Sequence, residues 1–364
     1  MNRNAHEPRI FVLWSHLPYY AFACLRSTAE RLTDRIDVIS IGTGPNGPLG
    51  HESVNVEVVP ADAGLMRYAA TARRLRNRDY DVVLVGGWAH SAMLCLAAIA
   101  RSVGTMTVCM ADTPWKSQAR QIARLASARL VLPRLFNAIW IPGERGLAMA
   151  QMLGFAQERI WTGVYSTDQD LFGRGADERI EERCRQRVWP KRFVFVGRLA
   201  EEKNVLRLLD GYRAYRAQAK NAWDLVLVGD GPLRTQLGEQ PGVRITGWLR
   251  PEEVAEEMRQ GGAFVLPSTF EPWGVVVHEA TCMGLPILCS TMVGAGADLV
   301  RHRTNGFVFN PFDVGSIADS FARMEEVTAP WELARASRLL SRSRSTVAWA
   351  ETLVDGFAAW RSHH

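Results

Sequence analysis

Short apolar runs recur along the whole chain, and most neighbouring runs are separated by a stretch with helical spacing. The first set occupies residues 10–14, 37–41, 54–59, 82–85, 105–110 and 138–141, with helices expected at 20–31 and 118–132, among others. A second set follows at residues 193–196, 225–228, 243–246, 263–266 and 287–289. Runs without polar alternation suit strands buried on both faces, as in parallel sheets covered by helices. Each set therefore predicts a doubly wound α/β sheet. Residues 169–192 are polar, carry charges of both signs and show no strand signal, so they read as a linker. The expected architecture is two Rossmann-like domains facing across a cleft, residues 1–168 and 193–344. In the closing segment, residues 345–364, Val347, Ala348, Leu353, Val354, Phe357 and Trp360 approximate a helical stripe.

Size and composition agree with this organisation. A chain of 364 residues can build two such domains, each with its own core. Charged residues at 22% and hydrophobic residues at 47% are ordinary for a folded globular protein. A formal charge of +5 suits an anionic substrate or an anionic membrane surface and is too mild to argue for nucleic acid, for which no motif is present. The six cysteines form no CxxC pair and read as buried free thiols in a reducing compartment. The polar N-terminus lacks the pattern of a signal peptide, and the most apolar stretch, residues 91–100, is closed by Arg101. That stretch falls short of the roughly 20 residues a membrane span needs, so the expected location is the cytoplasm.

Chemistry concentrates in the second half. Glu271 and Glu279 stand eight positions apart, in a segment that leaves an apolar run, turns at Gly274 and enters a helix. Glu271 then lies in the turn and Glu279 about one and a half turns along the helix. The backbone N–H groups of the first turn, Gly274, Val275 and Val276, attract a phosphate, and the carboxylates accept hydrogen bonds from hydroxyls. A capping acid followed by a solvated helical glutamate would have the same spacing. Upstream, a strand ends at Gly197 and a helix is expected near Lys203, which places Arg198 and Lys203 at the end of the sheet. Arginine grips phosphate oxygens as a fork and lysine supplies a compact charge, although an ordinary surface pair would look the same. Gly229 and Gly231 form a tight turn after the next strand, either a plain strand-to-helix connection or a place where backbone approaches a ligand.

The motifs taken together resemble a known family. Glu271-Pro-Trp-Gly with Glu279, Ala280-Thr-Cys-Met-Gly-Leu-Pro286, Val293-Gly-Ala-Gly and Asn305-Gly-Phe307 are similar to the nucleotide-sugar half of family 4 type glycosyltransferases. Phe195-Val-Gly-Arg-Leu-Ala-Glu-Glu-Lys-Asn204 and Leu227-Val-Gly-Asp-Gly-Pro232 extend the resemblance over residues 193–325. It implies the GT-B fold, with the final helix crossing back to the first domain, and transfer of a sugar from a nucleotide-diphosphate sugar, usually with retention and without a metal. Arg198 and Lys203 would bind the donor diphosphate, Glu271 the sugar hydroxyls and Glu279 the ribose. Trp248 would line the nucleobase pocket. Two cations there would meet the negative charge that develops on a departing diphosphate. Saccharides or lipid-linked saccharides would be acceptors, in cell-surface polysaccharide or lipopolysaccharide synthesis.

The first half fits this family only loosely. His90, after the fourth run, lies where a histidine of the family often faces the donor sugar, and Asp112 ends the next run at the same edge. The loop at residues 15–20 lacks the glycines common in relatives, which leaves His16 as a possible contributor to the acceptor pocket. His278 replaces a small or amide residue and receives no role. Two tempting motifs are set aside. Gly42-Thr-Gly-Pro-Asn-Gly47 matches GxGxxG with Asp62 twenty residues on, but Pro45 and Pro48 prevent the helix a dinucleotide site needs. Asp168-Gln-Asp170 spells DxD without neighbouring ligands and reads as solvated acids. Residues 116–134 mix Lys116, Arg120, Arg124, Arg129 and Arg134 with Ile122, Leu125, Leu130, Val131 and Leu132. That pattern suits either peripheral contact with an anionic membrane or a core-facing helix with a solvated basic face. A nucleotide-sugar epimerase of the same architecture and a non-catalytic nucleotide-sugar-binding partner are the alternative functions.

Overall fold

The computed structural model describes residues 8–15, 17–32, 36–41, 52–60, 65–112 and 119–363. It divides into two compact units, Met1–Ser166 with Thr346–His364, and Thr167–Ser345.

The first unit is built on seven parallel strands in the order β3-β2-β1-β4-β5-β6-β7. They are β1 (Ile10–Trp14), β2 (Ile36–Ile41), β3 (Val54–Val59), β4 (Val82–Gly86), β5 (Met106–Met110), β6 (Ala138–Ile141) and β7 (Ile160–Thr162). Alternate residues of one strand serve opposite cores. Phe11 and Leu13 pack with Val83, Val85 and Ile139 on one face, and Ile10, Val12 and Trp14 pack with Leu84, Val108 and Trp140 on the other. This double burial is why the central runs carry no polar alternation, whereas the edge strand β3, VNVEVV, alternates and is partly exposed.

The final helix, Thr346–Arg361, belongs to this unit and packs along the helix Tyr19–Leu32. Trp349 stacks on Trp140 with ring centroids 4.5 Å apart. Its indole N–H donates to the Val164 carbonyl at 2.9 Å. Trp349, Ala350, Leu353 and Phe357 are buried, so the inner face is turned slightly from the stripe read in the sequence, which began at Val347 and Ala348.

The second unit holds six parallel strands, order β10-β9-β8-β11-β12-β13. They are β8 (Arg192–Val196), β9 (Asp224–Val228), β10 (Val243–Gly247), β11 (Ala263–Leu266), β12 (Ile287–Ser290) and β13 (Gly306–Phe309). Helices again cover both faces, and the fold is that of two Rossmann-like parallel-sheet domains. Residues 169–192, expected as a linker, contain the helices Gln169–Phe172 and Ala176–Gln186 within this unit. The second is clamped to the helix Pro330–Arg342 by a fork from Arg338 to Asp177 at 2.8 and 2.9 Å. Arg338 thereby holds the Asp177 carboxyl below the usual carboxylate range. The polar look of this stretch reflects ion pairing across a helix interface.

Candidate functional site

In the second unit the loops leaving β8, β9 and β10 lie side by side at the C-terminal edge of the sheet. The Gly197 N–H donates to Val228 O at 3.0 Å, Leu199 N–H to Asp230 O at 2.9 Å and Gly229 N–H to Gly247 O at 2.9 Å. Gly229 has φ 139°, and a Cβ there would stand 2.0 Å from the Gly197 carbonyl oxygen. Its missing side chain is thus used by the neighbouring loop, as at Gly231, where a Cβ would stand 2.5 Å from Leu199 O. Trp248, just past β10, is 64% exposed at this edge.

Lys203 ends a short 3-10 turn, Glu201–Lys203, and is followed by Asn204 in the left-handed region at φ 59°. Asn204 is buried, and its amide donates to Pro267 O at 3.1 Å and Pro311 O at 2.8 Å. Thr269 N–H donates to Glu202 O at 2.9 Å. These bonds fasten the loop after β8 to the loop after β11. As a result the Lys203 ammonium donates to Glu271 Oε2, and both side chains are largely buried. Ser268 Oγ lies 3.5 Å from the same carboxylate oxygen. Ser290 Oγ in turn donates to Ser268 O at 2.7 Å and accepts from Met292 N–H at 2.9 Å.

Glu271 stands beside a helix start. Gly274, at φ 92°, precedes the helix Val275–Cys282, and a Cβ on it would meet Glu271 Cγ at 3.0 Å. Val275 and Val276 open the helix, where backbone N–H groups have no acceptor within the helix. Glu279 lies one turn further. No hydrogen bond or ion pair from a described residue reaches its carboxylate, and burial pushes it up to about 7. An acid held this way accepts strongly from any hydroxyl brought to it. His278, its neighbour, is fully buried, with Nε2 at 3.4 Å from Ser341 O. Burial lowers it to about 4, so it packs as a neutral ring.

Of the residues singled out in this half, Lys203 and Glu271 meet directly, and Gly197, Gly229, Gly231 and Trp248 share the loop edge beside them. Gly274, Val275 and Val276 form the adjacent helix start, with Glu279 on that helix. Arg198 is 67% exposed on its side chain and turns away to Glu202, donating to one carboxylate oxygen at 2.8 Å and holding the Glu202 carboxyl below its usual range. Asn204, Ser268 and Ser290 had no role in the sequence reading. Asn204 was visible as part of a motif, but its service as a pin between loops depends on partners 63 and 107 residues away.

His90 lies in the first unit, half-buried at the N-cap of the helix Ser91–Ser102 that follows β4. Asp112 follows β5, the next strand in the sheet, and is exposed. His16, the segment 42–47, Asp62 and Lys116 lie outside the described residues. Two expectations are corrected. Asp168 is not a solvated acid: it is buried and caps the helix Gln169–Phe172, accepting from Asp170 N–H at 3.0 Å and Leu171 N–H at 3.1 Å. Cys95 is exposed and Cys184 half-exposed, whereas Cys24, Cys109, Cys282 and Cys289 are buried, all as free thiols. On the helix Ala119–Leu135, Leu132 faces the core, while Leu130 at 62% and Val131 at 53% are exposed beside Arg129 and Arg134. Among the described residues no helix is long and apolar enough to cross a membrane.

Residues 190–326 match the family described as Glycosyl transferases group 1. Alpha-D-kanosaminyltransferase of Streptomyces kanamyceticus is 30% identical over 138 residues, covering 36% of this chain and 35% of that protein. A putative teichuronic acid biosynthesis glycosyltransferase of Bacillus subtilis is 28% identical over 153 residues, 41% of this chain and 38% of that one. The matched stretch thus spans little more than a third of either relative's length. Over the whole chain, the crystal structure of HepE from Anabaena in complex with UDP superposes with a TM-score of 0.75 at 20% identity, covering 96% of this chain and 100% of that one. The same protein with UDP-glucose gives 0.70 at 19%, covering 97% and 100%. The fold is accordingly GT-B, and residues 190–326 are similar to the glycosyl transferases group 1.

Proposed function

We propose that the protein transfers a hexose from a nucleotide-diphosphate sugar to a saccharide or lipid-linked acceptor, with retention and without a metal. The observation that carries this reading is the Lys203–Glu271 contact beside the helix start at Gly274. In a sugar diphosphate, phosphate oxygens and sugar hydroxyls are adjacent groups, and a bound donor needs a cation and a hydroxyl acceptor side by side. Lys203 would release Glu271 to the sugar and turn to the diphosphate, joined by Arg198 once it leaves Glu202. Glu279, an acid without a partner, would take the ribose hydroxyls. The loop edge from Gly197 to Gly231, with Trp248, would hold the base.

UDP-glucose is the first donor to try, since the structural relative from Anabaena binds it. Glu271, once released by Lys203, would accept from the sugar hydroxyls, which leaves a donor phosphate oxygen to receive the acceptor proton on the face the diphosphate leaves. In the first unit, His90 after β4 is the residue for which we propose a catalytic role. The teichuronic acid relative supports a place in cell-surface polysaccharide synthesis. Exposed Leu130 and Val131 between Arg129 and Arg134 support peripheral contact with anionic lipid.

The test is nucleotide release from UDP-sugars, GDP-sugars and ADP-sugars across a panel of saccharide and lipid-linked acceptors, with the anomeric proton of the product read by NMR. Acceptor-dependent release, unchanged by EDTA and giving a product of the donor's anomeric configuration, is expected. Conversion of the donor to an epimer without any acceptor, or release that EDTA abolishes, would contradict the proposal.

A further inference from the structure

At the opposite end of the second sheet, where β8 and β9 begin, a cavity of about 880 Å³ opens within the same unit. It lies one strand length, roughly 16 Å, from the donor loops at the ends of those strands. Its size is within the range of sites that enclose small molecules, roughly 300–1,000 Å³.

Three indoles line it: Trp189 just before β8, Trp223 just before β9, and Trp331 in the first turn of the helix Pro330–Arg342. Trp223 is buried and stacked on Phe193 at 4.9 Å, which makes it a fixed part of the wall. Trp189 is held by its N–H, which donates to Gly262 O at 2.7 Å, and by Arg183 over its ring at 5.1 Å. Trp331 is half-buried and makes no ring stack among the described residues. Arg187, Lys191, Lys220 and Glu326 also line the cavity, and none of the four makes an ion pair with a described residue.

The mixture selects among ligands. A phosphate-rich ligand calls for cations alone, and an acyl chain would desolvate four unpaired charges. A sugar ring presents an apolar C–H face to an indole and hydroxyls that both donate and accept, so it uses ammonium and carboxylate groups together. We propose that this cavity is a second saccharide site, which holds an oligosaccharide acceptor or product away from the chemistry. The class of ligand rests on the transferase reading; the cavity does not.

Binding of the purified full chain to a printed array of neutral hexose and N-acetylhexosamine oligosaccharides tests this, alongside thermal shift with UDP-glucose and with other UDP-, GDP- and ADP-sugars on the same samples. Wild-type protein should bind at least one oligosaccharide. Trp331→Ala and, separately, the solvent-exposed change Lys220→Glu should weaken that binding tenfold or more while the UDP-glucose shift stays as in wild type. A protein that is shifted by UDP-glucose yet binds no oligosaccharide, or binds one equally in both variants, overturns the second site and leaves the transferase reading standing. Oligosaccharide binding that both variants lose, with no shift by any nucleotide sugar, supports the cavity and removes the transferase reading instead.

Discussion

Lys203 and Glu271 were each readable as candidates from their motifs, but their contact was not. It depends on Asn204 and Thr269 lacing together two loops that are more than sixty residues apart. Arg198, the neighbour with the more exposed side chain, is turned to Glu202 instead. Removing the ammonium should cost a few kcal/mol of transition-state stabilisation, so Lys203→Ala is expected to lower kcat about 10²-fold or more in the release assay. Glu279 yields a separate prediction. Its carboxyl stands at about 7 in the folded chain against an ordinary value of 4.5, so its favourable contribution is full below pH 4.5 and is lost as pH rises through about 7. His278 runs the other way, full above its ordinary 6.5 and lost as pH falls to about 4, and masks the first effect in the parent protein. The difference in Tm between Glu279→Gln and the parent should therefore move in the variant's favour between pH 4.5 and 7.5. A difference flat with pH would show that Glu279 is ionised freely in the fold.

Strands buried on both faces were the most legible elements, because uninterrupted apolar runs bounded by turn residues carry the signal themselves. The two strands missed from the sequence lacked it. β7 has only three residues, and β13 begins at a glycine directly after Asn305, within a stretch that reads as a turn. The helix at 169–172 was missed because it has only four residues, and that at 176–186 because its residues are mostly charged and what fixes it is the Arg338–Asp177 fork with a distant partner. In the final helix, Trp349 joins the ring stack on Trp140 and bonds Val164. Trp349→Ala should destabilise the first unit by about 3–5 kcal/mol, as truncation of a large buried aromatic does, measurable by urea titration followed by fluorescence. A loss under 1 kcal/mol would mean that the indole is not a structural member of that core.

The chain is two sheets of the same design, and the first is completed by residues from both ends of the sequence. Deleting residues 346–364 should lower the melting transition of the first unit and leave that of Thr167–Ser345 in place, seen by calorimetry as one shifted and one fixed transition. The motifs legible in the sequence crowd into the second unit, at the loop ends after its strands. The first unit offered His90 and Asp112 but no comparable cluster. A donor that binds only the folded protein raises its melting point, by an amount equivalent to about 2.7 kcal/mol at one hundred times its Kd. Thermal shift of the parent and of Lys203→Ala and Glu279→Gln with UDP-glucose, other UDP-sugars, GDP-sugars and ADP-sugars is therefore the decisive measurement. One nucleotide sugar should raise the parent's Tm by several degrees and each variant's by much less; no shift with any of them, or an equal shift in all three proteins, would contradict a donor site at Lys203, Glu271 and Glu279.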